Sequence, residues 1–303
     1  MHAAYQPHYE RALTYAGAGA LPAALLAELR EYLRTVDPQS AALDDEGLYG
    51  LCKQAPDRIF AEWKRRKIDP TNEADVKAFY VDFNLYCYEL VAIDIDATLE
   101  RQAQLEGIAR LLREGGKLKG CDYGSGIGTL GIYLNRQGVR CDFADVSQAN
   151  LDFVAQRLRR REIKDARLIH LEREELPRAQ YDFVTAFDVL EHVANPLSTM
   201  RGISERLKPG GYFIFNLLYH QEPDTPHILM DPNPIRKNIR GFGLRKIASI
   251  GEFKVYQKVN RGAFGNALVR GLDVAFWNLR ERVDALRARR RSTAAAAPSA
   301  AHK

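Results

Sequence analysis

Between Lys117 and Gly128 the chain reads Lys-Leu-Lys-Gly-Cys-Asp-Tyr-Gly-Ser-Gly-Ile-Gly. Gly124, Gly126 and Gly128 alternate with Ser125 and Ile127, directly before an amphipathic run from Thr129 to Arg136. Such a turn lets backbone approach a ligand without Cβ clashes, and the helix start supplies N–H groups that the helix itself does not use. The pattern is a cradle for a nucleotide-type cofactor. It is no phosphate loop, since no Gly-Lys-Ser/Thr follows, and Gly-x-Gly-x-Gly is not the dinucleotide spacing. Asp122, just ahead, suits a pyrophosphate poorly and tolerates a cationic, phosphate-free ligand. Asp145 stands 21 residues after Gly124, where a carboxylate can accept two hydrogen bonds from a ribose diol. Its competing role is a helix N-cap, for which Ser147 is the better candidate. Farther on, Asp188, Glu191 and His192 are spaced i, i+3, i+4, which on a helical turn is one face. His220 and His227 follow. His192, His220 and His227 are the candidates to remove a proton from an acceptor. Asp188, Glu191, His192 and His227 together would also suit a divalent ion such as Mg²⁺ or Zn²⁺.

Positioning these residues takes alternating strands and helices. Strands are expected at Leu118–Asp122, Val139–Asp145, Arg167–Leu171, Tyr181–Phe187 and Gly211–Leu217, and helices at Thr129–Gln137, Gln148–Arg161 and Pro196–Leu207. That succession predicts βα units around a parallel sheet. A loop follows over 218–234, and then a terminal hairpin of Leu244–Ser249 and Glu252–Val259. Residues 1–105 read as helical: Pro22–Arg34, Asp57–Lys67, and Glu73 to about Leu112, with a break at Ile68-Asp-Pro-Thr-Asn. A last helix spans 262–291, and 292–303 has the composition of a disordered tail.

The glycine turn resembles motif I of the class I S-adenosylmethionine-dependent methyltransferases, hydrophobic-Asp-x-Gly-x-Gly-x-Gly. Phe187-Asp-Val-Leu-Glu-His-Val-Ala-Asn-Pro196 and Leu207-Lys-Pro-Gly-Gly-Tyr-Phe-Ile-Phe-Asn216 are similar to that family's segment after strand four and its turn into strand five. The resemblance covers roughly 110–260. It implies an α/β fold: a Rossmann-like doubly wound sheet with a terminal antiparallel β-hairpin, here with an N-terminal helical cap and a C-terminal helix. The expected division is a cap or substrate lid over 1–105, the cofactor domain over 106–260, a basic amphipathic helix over 261–291 and the tail over 292–303. The implied cofactor is S-adenosylmethionine, held by Asp122, Gly124, Ser125, Gly126, Gly128, Asp145, Val146, Glu172 and Asp188. The resemblance places Asp145 on the ribose, Asp122 near the methionine ammonium and Glu172, where an Asp is usual, near the adenine amine. The Asp-x-x-Glu-His segment also resembles that of the ubiquinone-type O-methyltransferases and of small-RNA terminal 2′-O-methyltransferases. There it contributes to a metal site, but here Asp188 stands at its first position. The expected activity is methyl transfer to a small-molecule acceptor, most readily a hydroxyl oxygen. An RNA 2′-O-methyltransferase and a non-catalytic adenosyl- or dinucleotide-binding module are the alternatives.

Charge bears on those alternatives. Residues 261–303 hold nine Lys/Arg against three Asp/Glu, so the +5 of the whole chain leaves the other 260 residues at −1. A fold-wide basic surface for nucleic acid is not supported. No apolar run reaches the length of a membrane span, no signal peptide is visible, and Cys52, Cys87, Cys121 and Cys141 lack metal-type spacing, so a cytoplasmic location with reduced thiols is expected. The aromatic run Phe79–Tyr88 reads as core or as the wall of an acceptor pocket. On the last helix Leu268, Leu272, Leu279, Val283 and Leu286 share a stripe, with Phe276 nearby. Packing on the domain or a homodimer contact is expected ahead of peripheral contact with an anionic membrane, because Glu281, Asp284 and the modest length weaken the membrane case.

Overall fold

The computed structural model of the chain describes residues 20–82, 86–96, 99–218, 225–229, 231–260 and 262–295. Six helices come first: α1 (Ala20–Val36), α2 (Pro38–Ala41), α3 (Asp45–Arg66), α4 (Glu73–Asp82), α5 (Tyr86–Ile95) and α6 (Leu99–Glu114). The expected continuous helix from Glu73 to Leu112 is thus three helices. Helix α3 starts twelve residues before the expected Asp57 and runs through Pro56. Its N-terminus explains why: the Asp44 carboxylate accepts the Gly47 N–H at 2.8 Å, Asp45 and Glu46 occupy the first turn, and Lys64, Arg65 and Arg66 the last. Residue 105 lies inside α6, whose Ile108, Ala109 and Leu112 pack on the sheet with Val139, Phe183 and Ile214. The cap is therefore made by α1–α5.

The remainder alternates as expected: β1 (Lys119–Tyr123), α7 (Thr129–Arg136), β2 (Arg140–Asp145), α8 (Gln148–Arg160), β3 (Leu168–His170), β4 (Tyr181–Ala186), α9 (Pro196–Arg206) and β5 (Leu207–Phe215). A short helix α10 (Asn233–Asn238) and a 3₁₀ turn over Ile239–Phe242 lie where a loop was expected to end. The hairpin of β6 (Leu244–Ile250) and β7 (Phe253–Lys258) follows, and α11 (Gly262–Ala295) closes the chain. Strand β5 begins at Leu207, not Gly211, because Leu207 already pairs with Tyr181 and the Pro-Gly-Gly segment forms an irregularity within the ladder.

The seven strands run in the order β3-β2-β1-β4-β5-β7-β6. The first five are parallel, and β7 is antiparallel to both β5 and β6. Cys121, Phe143, Phe183, Val184, Phe213 and Phe215 are all fully buried in the strands, as a sheet covered on both faces requires.

The cap is tied to the cofactor half by apolar and ionic contacts. Leu29, Leu33, Val91 and Ala92 pack with Ile127 of the glycine turn and Phe153 of α8. Within that contact Arg157 of α8, only 5% exposed, donates Nε–H to Glu28 of α1 at 3.0 Å and Nη1–H to the Ile127 carbonyl at 2.5 Å. The same Nη1 reaches Thr129 Oγ1 at 3.1 Å, and that hydroxyl donates to Asp94 of α5. The four cysteines are buried free thiols, and among the described residues no helix is long and apolar enough to cross a membrane.

Candidate active site

Strand order reverses between β1 and β4, and the crevice beyond the carboxyl ends of those strands is where open α/β sheets bind ligands. A single cavity of about 900 Å³ occupies it, reaching from the glycine turn to His192 and His227 under the cap helices α4 and α5.

At the cofactor end, the Gly124 and Ser125 N–H groups donate to the Ala144 carbonyl at 2.7 and 3.0 Å, lacing the turn to the end of β2. Gly126 has φ +53°, and a Cβ there would lie 2.7 Å from a methyl of Leu90 on α5. The left-handed backbone favours glycine, and a Cβ would also push the Leu90 methyl aside. Asp145, last in β2, accepts the Gly126 N–H on Oδ2 and the Ser147 N–H on Oδ1, both at 2.8 Å. Burial pushes its carboxyl up to about 6, opposed by those N–H bonds. Ser147 caps α8, so the capping role does not fall to Asp145. Asp122 is enclosed and accepts the Thr185 hydroxyl at 2.7 Å, and burial pushes it up to about 7. Val146 lines the cavity. Glu172 also borders it, with its carboxylate paired to Lys77 of α4 at 2.7 Å. The Ser125 hydroxyl oxygen is buried with no hydrogen-bond partner among the described residues.

The other end joins segments far apart in sequence. The Tyr80 hydroxyl of α4 lies 2.7 Å from His192 Nδ1 and 2.9 Å from the Pro226 carbonyl, which is itself 3.1 Å from Nδ1. A carbonyl only accepts. The assignment that satisfies all three atoms has Tyr80 donating to Pro226 and His192 donating Nδ1–H to the Tyr80 oxygen. The imidazole lone pair then sits on Nε2. The His227 ring lies 4.5 Å from that of His192, centroid to centroid. The Ile228 and Leu229 N–H groups dock the loop on the Glu191 carbonyl at 2.7 and 3.3 Å.

The segment carrying these groups is not the helical turn that the spacing of Asp188, Glu191 and His192 predicts. Residues 187–195 form bends and turns, and Asp188 has φ +53°, a left-handed conformation that a helix does not accommodate. Asn216, just past β5, fixes that conformation: its Oδ1 accepts the Asp188 N–H at 2.8 Å and its Nδ2 donates to Asp188 Oδ1 at 2.5 Å. The three residues consequently diverge. Asp188 and His192 line the cavity, while Glu191 is fully enclosed, and among the described residues neither carboxylate oxygen has a partner. Burial, with the Asp188 carboxylate adding to it, pushes Glu191 up to about 8. Among the described residues no three His, Cys, Asp or Glu side chains gather as a cation site; Asp188, Glu191, His192 and His227 do not form the expected ligand set. His220 lies outside the described residues.

Sequence reasoning gave Tyr80 and Asn216 no role of their own and passed over Thr185 and Arg157. For Arg157 a signal existed: it interrupts the apolar face of α8 formed by Phe153, Val154 and Leu158, and an arginine there must find acidic partners. The aromatic run divides between its two readings. Phe79 is core, packed edge-on against Trp63 at 4.9 Å, while Tyr80 and Tyr86 face the cavity. Phe83 lies outside the described residues.

Residues 95–248 match a family described as a methyltransferase domain, a little over half of the chain. The ubiquinone biosynthesis O-methyltransferase of Shewanella pealeana is 46% identical over 41 residues, 14% of this chain and 17% of that protein. The protein of the same name from Alkalilimnicola ehrlichii is 32% identical over 99 residues, 32% of this chain and 40% of that protein. The chain thus spans less than half the length of these curated relatives. A solved O-methyltransferase family protein from Burkholderia thailandensis superposes with a TM-score of 0.43 at 16% identity, over 58% of this chain and 62% of that one.

Proposed function

This chain belongs to the methyltransferase-domain family, and from that premise we propose that it moves the methyl group of S-adenosylmethionine to a hydroxyl oxygen of a small-molecule acceptor by in-line displacement. The observation that carries the reading is the single cavity joining the glycine turn and Asp145 to His192, whose Nδ1 is engaged by Tyr80 and the Pro226 carbonyl.

The residues present fit the donor. Ser125 offers a buried hydroxyl without a partner among the described residues, Asp145 presents a carboxylate at the β2 end, and Asp122 keeps an enclosed acid able to face a cation. When bound, S-adenosylmethionine supplies a sulfonium-activated methyl group. The chain's own work is positioning and proton removal. Gly124, Gly126 and Gly128 bring backbone against the donor, Asp145 holds a ribose diol, and Asp122 answers an ammonium group. His192 takes the acceptor's hydroxyl proton on Nε2, and Tyr80 holds Nδ1 protonated so that Nε2 stays the basic atom. His227 flanks the same place. The residues do not fit a divalent metal: Glu191 is sealed away from the cavity, and Asp188 is bound by Asn216. No step is assigned to one.

Donor binding by calorimetry, followed by turnover of phenolic, catecholic and aliphatic hydroxyl acceptors with mass detection of the methylated product, tests the reading. Binding of NAD in place of the donor, or methylation confined to amines or RNA, would overturn it. Turnover rescued by Mg²⁺ after chelation would restore the metal reading. Homodimerisation and membrane contact would both run through α11.

A further inference from the structure

Helix α5 roofs the cavity. Tyr86, Glu89, Leu90 and Ile93 line it, at the i, i+3, i+4, i+7 spacing of one helix face. Tyr86 stands at the acceptor end: its ring lies 5.1 Å from that of Tyr80, centroid to centroid, and Tyr80 meets His192. Leu90 stands at the donor end, against Gly126. Glu89 falls between them, so it sits along the helix where the two compartments join. Its electrostatic neighbours agree: its charge is felt at Tyr80, and it feels that of Asp188, which lines the cavity from the sheet side.

Other acids along the cavity have partners inside the protein. Asp94 accepts from Thr129, Asp122 from Thr185, Asp145 from two backbone N–H groups, and Glu172 pairs with Lys77. Glu89 is only 8% exposed, yet among the described residues its carboxylate has no hydrogen-bond donor and no cation; Arg101 of α6 answers Asp188 instead, at 3.9 Å. A desolvated, unpaired carboxylate is unfavourable unless a ligand supplies the partner. Burial pushes Glu89 up to about 7, with the Asp188 carboxylate adding to it, and a bound cation would reverse that rise. The Tyr80 and Tyr86 rings line the same space, and an aromatic ring attracts a cation over its face. A wholly neutral acceptor would cover the Glu89 carboxylate and leave it unanswered.

We propose that Glu89 selects the acceptor: its carboxylate takes a hydrogen bond from a protonated amine on the molecule whose hydroxyl is methylated. The inference rests on the methyl-transfer reading for the reacting atom, but not for the cation site itself. A protonated nitrogen has no lone pair, so it is the handle by which the acceptor is held and not the atom that receives the methyl group. Glu89 lies outside residues 95–248, so the family match says nothing of it.

The experiment is calorimetry of the full chain, free and saturated with S-adenosylhomocysteine. The probes are two matched pairs, tyramine against para-propylphenol and aminopropanol against butanol. In at least one pair we expect the amine to bind at least about tenfold tighter than its neutral counterpart, and Glu89→Gln to abolish that preference while leaving S-adenosylhomocysteine affinity within about twofold. Glu89→Asp keeps the charge and should keep part of the preference. Equal binding within both pairs, or binding of neither amine, overturns the proposal on the wild-type chain alone. So does a preference that survives Glu89→Gln. A loss of S-adenosylhomocysteine affinity of about tenfold or more in Glu89→Gln, with the far-ultraviolet circular dichroism unchanged, also overturns it and assigns the carboxylate to the donor. Failure of the wild-type chain to bind S-adenosylhomocysteine would sink the methyl-transfer reading alone, because the amine preference is measured on the free chain as well.

Discussion

At the cofactor end, Asp145 takes its hydrogen bonds from Gly126 and Ser147, 19 and 2 residues away. At the acceptor end, His192 meets Tyr80, 112 residues earlier, and Pro226, 34 later. The first arrangement is one strand–turn–helix unit closing on its neighbour. Its hydrogen bonds come mainly from the backbone, so residue type matters at few positions and the spacing of those few is diagnostic. The second is assembled by cap, post-strand turn and loop, each side chain depending on another segment's placement. The hydrogen bonds around Asp145 are therefore set by local structure, whereas the surroundings of His192 exist only once the cap has folded over the sheet.

That contrast can be broken experimentally. His192→Gln should lower turnover by about 10²–10⁴-fold, the range for loss of a general base, and leave donor affinity within a small factor. An equal loss of donor affinity would mean that the two ends are not separable. Arg157→Met leaves Glu28 with Arg161 alone, at 2.6 Å, removes the stronger of the cations acting on buried Asp94, and should cost up to about 3–5 kcal/mol in denaturant unfolding, weakening both ends together. Asp145→Ala should cost about 1.5–3 kcal/mol of donor binding, the range for hydrogen bonds to a charged group, measured by calorimetry, with little change in the intrinsic rate at saturating donor.

Two smaller effects depend on pH. With Asp122 pushed up to about 7 by burial, donor affinity should fall as pH drops below 7, by up to about tenfold per unit, because the neutral acid no longer answers a cation. Asp122→Asn should flatten that profile. Glu191 is about 8 when folded against an ordinary 4.5. Between those values the folded state holds a proton that the unfolded chain has released, so this group's contribution to stability is complete below about 4.5 and declines as pH rises towards 8. Glu191→Gln should raise Tm by about a few degrees at pH 8 and change it little at pH 5. A loss at pH 5 would reveal a carboxyl-specific contact.

Much of the cofactor end was legible from Asp122, the alternating glycines, Asp145 and the Leu-Lys-Pro-Gly-Gly turn, because strand and turn geometry constrains residue type within a few positions. The acceptor end was legible as residues and not as an arrangement. His192 lines the cavity; the helical spacing that grouped it with Asp188 and Glu191 was misleading, since Asn216 holds Asp188 in a backbone conformation that no periodicity announces. Tyr80 gave no signal apart from its neighbours, because a phenol that orients an imidazole and one that fills a core sit equally well in Phe79–Tyr88. Helix α3 was shortened in the reading by Pro56, which a 22-residue helix with strong charges at both ends tolerates.

Arg157 grips the Ile127 carbonyl with one nitrogen while Glu28 of the cap holds another. One guanidinium is thus shared between helix α1 and the glycine turn, so the position of that helix and the shape of that turn are set together.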